Sequence, residues 1–252
     1  MDKLKATSQA LTFGLYSICS LVCALFISWV IWASVDFAYP ALHDFMDIEQ
    51  HTAKYGPQNR YRDNFENTDR EERIRLFAEI NNAIHSQGQG LKEIEYFDQS
   101  TNVKIDTLLH TSEILHLEDV AHLIDVFRIT TVFTFLVWVV LIFSFYKKNQ
   151  APPNIKQQSI STLIVIAVCT VLVLIIGPVN VFYAFHEWLF PANHKWFFYY
   201  QESLMTILMK APFLFGYIAI LILLLAIPVY ILLNTLSARL LHSITSQKLI
   251  RN

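Results

Sequence analysis

Glu118, His122 and Asp125, in "LEDVAHLIDVFR", are spaced i, i+4 and i+7, which puts all three on one face of a helix. A carboxylate beside an imidazole fixes its tautomer and raises its basicity, the preparation a general acid or base needs. His186 opens a second cluster, "FHEWLFPANHKWFF", where two histidines, Glu187, Lys195 and Pro191 lie among six large aromatic residues. Each cluster also has a plainer reading. The first is a solvated helix face with an ion pair to Arg128, and the second an interfacial aromatic belt. His116, Glu118, His122, His186 and His194 would suffice as metal ligands, but no H-E-x-x-H or clustered His/Cys pattern joins them, and no metal or cofactor is assigned. There is no G-x-S-x-G, and Ser203 is a weak nucleophile candidate.

The elements that must position these groups are membrane helices. The 252 residues are 54% hydrophobic and 16% charged, with a mean hydropathy of +0.38. Four charge-free stretches, 6–35, 129–146, 157–185 and 211–238, can each supply the roughly 20 residues that cross a bilayer. The first is longer than a signal-peptide core of about 7–15 residues and lacks a clear cleavage site, so it reads as a retained helix. The expected fold is an all-α polytopic membrane protein: four transmembrane helices with a helical extracytoplasmic insertion between the first two.

Orientation follows from charge. Segments 1–5, 147–156 and 239–252 hold eight of the Lys and Arg residues and one acid, Asp2. Basic short segments mark the cytoplasmic side. Both termini are therefore expected inside, with 36–128 and 186–210 outside. The implied division is an N-terminal tail and first span (1–35), an extracytoplasmic subdomain (36–128), spans at 129–146, 157–185 and 211–238, a cytoplasmic loop (147–156), an extracytoplasmic loop carrying the site (186–210) and a cytoplasmic tail (239–252). Cys19, Cys23 and Cys169 fall in spans, so no disulfide framework is expected. A net charge of −2 with interspersed signs gives no hint of nucleic acid.

Within the insertion, "TDREERIRLFAEINNAIHSQG" reads as a helix. Thr68 and Glu71 form a capping box, Ile74, Phe77, Ile80 and Ile84 mark its apolar face, and Gly88 ends it. No glycine or proline occurs between Gly90 and Pro152, so a helix capped near Thr111 or Ser112 should run unbroken into the second span. Gly177-Pro178 should bend or end the third span, and Pro228 should kink the fourth. His122 lies seven residues before the second charge-free stretch and His186 one residue past the third, so both are expected at headgroup depth.

"EDVAHLIDVFRI" resembles the E-x-x-x-H-L-x-D-V-K element of the lipoprotein intramolecular transacylase family, and "FHEWLFPANHKWFF" resembles that family's F-H-x-x-F-F…W element after its third span. The four-span layout, with one large and one small exported loop, is also similar. The chain departs from the pattern at Phe127-Arg128, where the family carries lysine. It departs again at "WFFYYQES", where an acidic continuation is replaced and Glu202 is the nearest acid. The resemblance implies an enzyme of the bacterial plasma membrane with its active site on the extracytoplasmic side. Its substrate would be a diacylated lipoprotein, met in the surrounding phospholipid. It would move the sn-2 acyl chain to the α-amino group of the N-terminal cysteine, with no cofactor. The family's histidines fall on His122 and His186, with Glu118 and Asp125 orienting His122, and Asn180 and Tyr183 as candidate oxyanion donors. His194 has no counterpart in the motif. The alternatives are another membrane lipid hydrolase or acyltransferase, metal-assisted or not, and a non-enzymatic assembly or sensor protein.

Overall fold

A computed structural model of the chain describes residues 2–148 and 150–251, with side chains for 7–148, 150–156 and 158–242. The chain runs through α1 (Asp2–Ala33), α2 (Tyr39–Phe45), α3 (Ile48–Tyr55) and α4 (Arg70–His85). A hairpin of β1 (Glu95–Phe97) and β2 (Lys104–Thr107) follows, then α5 (Thr111–Lys147), α6 (Ile155–Ile176), α7 (Pro178–Leu189), α8 (Leu204–Met209) and α9 (Phe213–Arg251). Four helices are long and apolar enough to cross a membrane: Thr7–Ala33, Thr111–Lys147, Gln158–Ile176 and Phe213–His242. The protein is thus a multi-pass, predominantly helical membrane protein, as the charge-free stretches led one to expect.

The helix breakers act where they stand. With none of them between Gly90 and Pro152, α5 runs for 37 residues, about 55 Å. Gly177, at φ +93°, ends α6, and Pro178 takes the first turn of α7. The third charge-free stretch is therefore two helices. Pro228 lies inside α9 and removes one backbone donor there.

The Cα trace divides into two compact units. The first comprises Met1–Ile31, Arg128–Ile175 and Leu221–Asn252. Its core includes Tyr16, Cys19, Trp138, Phe145 and Leu241. Tyr16 stacks on Trp138 at 6.1 Å between ring centroids, and its hydroxyl meets Ser237 Oγ at 2.5 Å, so α1, α5 and α9 are tied by both packing and a hydrogen bond.

The second unit comprises Trp32–Phe127 and Ile176–Ile220. The chain enters it through three consecutive non-glycine residues with left-handed backbone, Asp36, Phe37 and Ala38 (φ 49°, 51° and 56°). Such a run is sterically costly, and Asn81 holds it by donating from Nδ2 to the Ala33 carbonyl and to Asp36 Oδ1. Tyr39 stacks on Phe77 at 4.0 Å and donates to the Leu208 carbonyl, joining α2, α4 and α8.

Arg73 is fully buried, and every polar edge of its guanidinium is used. Nε donates to His43 Nε2 at 3.0 Å, one terminal nitrogen donates to Thr68, and the other pairs with Glu49. An Nε2 that accepts must leave the His43 proton on Nδ1, which faces Asp44 Oδ1 at 3.1 Å.

Two local readings of α4 need correction. Its N-cap is Asp69, whose carboxylate accepts from the Glu72 amide at 2.7 Å. Thr68, the expected cap, instead donates to the Phe65 carbonyl, one turn outside the helix. Phe77 and Ile80 are buried as expected, but Leu76 and Ala83 complete the stripe, while Ile74 and Ile84 are half-buried. Gly88, at φ +78°, donates back to the Ala83 carbonyl and stops the chain from continuing as helix. The β1–β2 hairpin was not foreseen, because strands of three and four residues leave too short an alternation to read.

Candidate active site

The second unit brings two imidazoles together. His116 on α5 and His186 on α7 have ring centroids 6.2 Å apart at an interplanar angle of 35°. Aromatic side chains box the pair. Phe182, Trp196 and Phe190 lie 3.9, 5.1 and 5.3 Å from His186, and Phe190 and Phe198 lie 4.9 and 6.1 Å from His116. The stretch "FHEWLFPANHKWFF" therefore builds a largely apolar enclosure around two titratable rings.

The tautomer of His186 follows from its partner. Nδ1 lies 2.8 Å from the Phe182 carbonyl, which can only accept, so Nδ1 carries the proton and Nε2 presents its lone pair. Burial pushes the His186 pKa below the ordinary histidine value, against an opposing effect of the Phe182 bond. The ring is held neutral and ready to accept a proton. His116 is 8% exposed, and its Nδ1 is buried with no hydrogen-bond partner among the described residues. A buried, unpaired ring nitrogen beside a second imidazole is unusual in a structural role.

Local sequence explains why His116 faces inward. Over residues 111–127 of α5 the buried positions are Glu113, His116, Leu117, Ala121 and Ile124, a stripe at i, i+3, i+4, i+8 and i+11. Glu113 anchors its start. One carboxylate oxygen accepts from the His110 amide at 2.8 Å, and the other accepts from Ser203 Oγ and from the Met205 amide. This joins the first turn of α5 to the start of α8. One turn beyond His116, Asp119 Oδ2 meets His194 Nδ1 at 2.6 Å, which ties the loop after α7 to the same face.

The geometry does not bring His122, the histidine expected from the sequence, to this pair. That residue is exposed. The chain contains H-L-x-D-V twice in tandem, at 116–120 and 122–126. A six-residue offset turns a helix by about 240°, so the two copies cannot share a face. The inward stripe carries the histidine of the first copy and leaves that of the second exposed. Leu117, Ala121 and Ile124 were legible as that stripe, and E-x-x-H at 113–116 was the signal overlooked.

The other named residues follow suit. Glu118 turns outward, 3.9 Å from Lys92 Nζ, and Asp125 is half-buried on the His122 side of the helix. Asn180 is exposed and spends its Nδ2 on the Ile176 carbonyl. Tyr183 packs against Trp196 and Phe197, at 5.8 and 5.5 Å, on the rim of the enclosure. No group of three or more His, Cys, Asp or Glu residues able to hold a metal ion occurs among the described residues.

The fold is that of a helical protein built into a membrane, and in it two imidazoles share an aromatic box. The chain belongs to the lipoprotein intramolecular transacylase Lit family, whose sequence profile matches residues 15–213. No curated protein matches the chain. Solved structures of the membrane-integral transacylase from Bacillus cereus are similar in fold. One, bearing a histidine-to-arginine change, has a TM-score of 0.64 at 15% identity over 99% of this chain and 97% of that one. A second has a TM-score of 0.64 at 17% identity over 96% and 99%. A third, bearing a histidine-to-alanine change, has a TM-score of 0.63 at 16% identity over 98% of each.

Proposed function

We infer that the protein moves the sn-2 acyl chain of a diacylglyceryl lipoprotein to the α-amino group of the lipoprotein's N-terminal cysteine, leaving an N-acylated lyso-form. The observation that carries this reading is the juxtaposition of His116 and His186, 6.2 Å apart in an aromatic enclosure. An α-ammonium group has a pKa of about 8 and must shed a proton before it attacks. His186, neutral with an available Nε2, is the base. As the N–C bond forms, the carbonyl oxygen gains charge, and His116 donates to it or to the departing glycerol oxygen. The C–O ester bond breaks and the amide remains; of the two protons that the α-ammonium gives up, one ends on the glycerol hydroxyl and the other leaves to water.

Amine and ester belong to one substrate molecule. Proximity is therefore built into the substrate, and no nucleophile on the enzyme is needed. Glu113 and Asp119 act through His116 and through the 190–199 loop as positioning residues. The site belongs on the extracytoplasmic face of the bacterial plasma membrane, by the charge asymmetry of the short segments.

The test is mass spectrometry of a lipoprotein N-terminal peptide from cells with and without the protein. Conversion of the diacylglyceryl to the lyso-form, with total acyl count unchanged, is expected. Unconverted peptide, or a net loss of an acyl chain, refutes the assignment. His116→Ala should abolish conversion and His122→Ala should retain it.

A further inference from the structure

The first unit contains polar groups that the acyl-transfer site does not use. Asn234 on α9 is 2% exposed, and its amide orientation is fixed. Nδ2 donates to the Tyr230 carbonyl at 2.8 Å, within its own helix. Oδ1 therefore faces the two donors that approach it, Ser20 Oγ on α1 at 3.2 Å and Gln158 Nε2 on α6 at 3.1 Å. This fixes Gln158 in turn. Its nitrogen is spent on Asn234, so its oxygen points the other way. Gln158 is 7% exposed, and Oε1 has no hydrogen-bond partner among the described residues. A buried amide oxygen without a donor costs about 1–3 kcal/mol, and hydrocarbon offers it no compensation.

Gln158 forms part of the wall of an open cavity of about 400 Å³ between α1 and the start of α6. Ser17, Ser161 and Thr162 give the same wall hydroxyl groups, and Phe13, Ile18 and Val165 give it an apolar flank. Pro153 and Asn154 line the end nearest the 147–156 loop, a segment with Lys147, Lys148 and Lys156 and no acid. One cavity thus combines a buried acceptor seeking a donor, hydroxyl groups, an apolar flank, and a mouth formed in part by a loop whose only charged residues are lysines. That is the chemistry of an anionic amphiphile whose headgroup carries hydroxyl donors.

We propose that this cavity binds one phospholipid of the phosphatidylglycerol class, drawn from the leaflet on the side of the 147–156 loop. The headgroup turns inward so that a hydroxyl donates to Gln158 Oε1. The phosphate stands by the loop lysines, and the acyl chains leave along Phe13, Ile18 and Val165. The site is separate from the histidine pair and does not depend on the reaction assigned to it.

Gly14 provides a clean test. It lines the cavity, and a Cβ added there would meet nothing within 4 Å. Gly14→Leu therefore fills the space without a clash and with a better helix former. The full-length protein in neutral detergent is presented with phosphatidylglycerol or phosphatidylcholine, whose headgroup has no donor, and retained lipid is counted by native mass spectrometry. The wild type should hold one phosphatidylglycerol with at least a tenfold preference, Gly14→Leu should hold none, and Gln158→Leu should lose the preference. Thermal melting checks that each variant is folded, and Gly14→Leu alone decides if Gln158→Leu is not. Equal retention of the two lipids by the wild type overturns the proposal, as does unchanged phosphatidylglycerol binding by Gly14→Leu.

Discussion

Asp119 and His194 are joined by a 2.6 Å hydrogen bond across 75 residues of sequence. Asp119 sits one turn beyond His116 on the same face of α5, and His194 lies in the loop that supplies Phe190, Trp196 and Phe198 to the enclosure. The bond is the clasp that holds these rings over the imidazole pair, and its partners are only 21% and 24% exposed. Either Asp119→Asn or His194→Ala should therefore cut the rate of lyso-form production by about tenfold, less than loss of a proton-transfer group. Limited proteolysis after Lys195 should become faster in both. Wild-type rates and cleavage in both variants would show that the clasp is idle.

The three histidines near the α5 and α7 motifs should separate cleanly. His116→Ala and His186→Ala are each expected to lower the rate by roughly 10²–10⁴, the usual worth of a placed acid or base. His122→Ala should leave it near wild type, because its ring is exposed. An inactive His122→Ala alongside an active His116→Ala would reverse the choice between the tandem H-L-x-D-V copies.

Burial lowers the pKa of His186, so its neutral form persists to lower pH than that of a free histidine. A rate that needs the neutral ring falls as pH drops through that pKa. The acid limb of the pH–rate profile should accordingly lie below about 6.5. An acid limb centred at pH 7 or above is incompatible with His186 as the base.

His51 links pH to stability. It packs against Tyr55 and Tyr200 at 4.7 and 4.4 Å. Burial, with help from Lys210 and Lys54, depresses its pKa from 6.5 to about 4. Between those values the unfolded chain binds more protons than the folded one. Stability is therefore fully present above about pH 6.5 and is lost as pH falls toward 4, by about 3 kcal/mol at most from this residue. His43, whose pKa burial also lowers, acts in the same direction. Denaturation at pH 7.5 and 4.5 measures the loss, and His51→Gln should shrink it. An unchanged pH dependence in that variant would remove His51 from the account.

Topology is testable independently of chemistry. Reporter fusions should give an extracytoplasmic signal at Gly88 and a cytoplasmic one at Pro152. The opposite pattern would turn the histidine pair toward the cell interior and exclude exported lipoproteins as substrates.

The membrane helices were legible because a bilayer allows little else for long charge-free runs. Gly177 and Pro178 ended a helix where their backbone chemistry demands. The aromatic surroundings of His186 were legible because the rings crowd into one short stretch of sequence. His122 stood out through its i, i+4, i+7 carboxylates and its fit to the family motif, yet flanking charge reports a solvated face as readily as a site. The burial stripe through Leu117, Ala121 and Ile124 carried the rotational phase that a motif match does not. The Asp119–His194 and Glu113–Ser203 bonds were hidden for a different reason: each joins residues 75 or 90 positions apart, and no local pattern encodes such a pairing.

The Phe182 carbonyl occupies one nitrogen of His186. The ring therefore cannot relay a proton through itself from one side to the other. Whatever it takes up on Nε2 must leave by Nε2, toward the substrate or toward His116. In the transfer inferred here, the ammonium gives up two protons and the glycerol takes one, so each turnover releases one proton to the water on the side from which the lipoprotein amine arrived. Because that proton does not cross the membrane, the reaction draws nothing from the electrochemical gradient, and it should continue at full rate in vesicles whose proton-motive force has been collapsed at constant external pH.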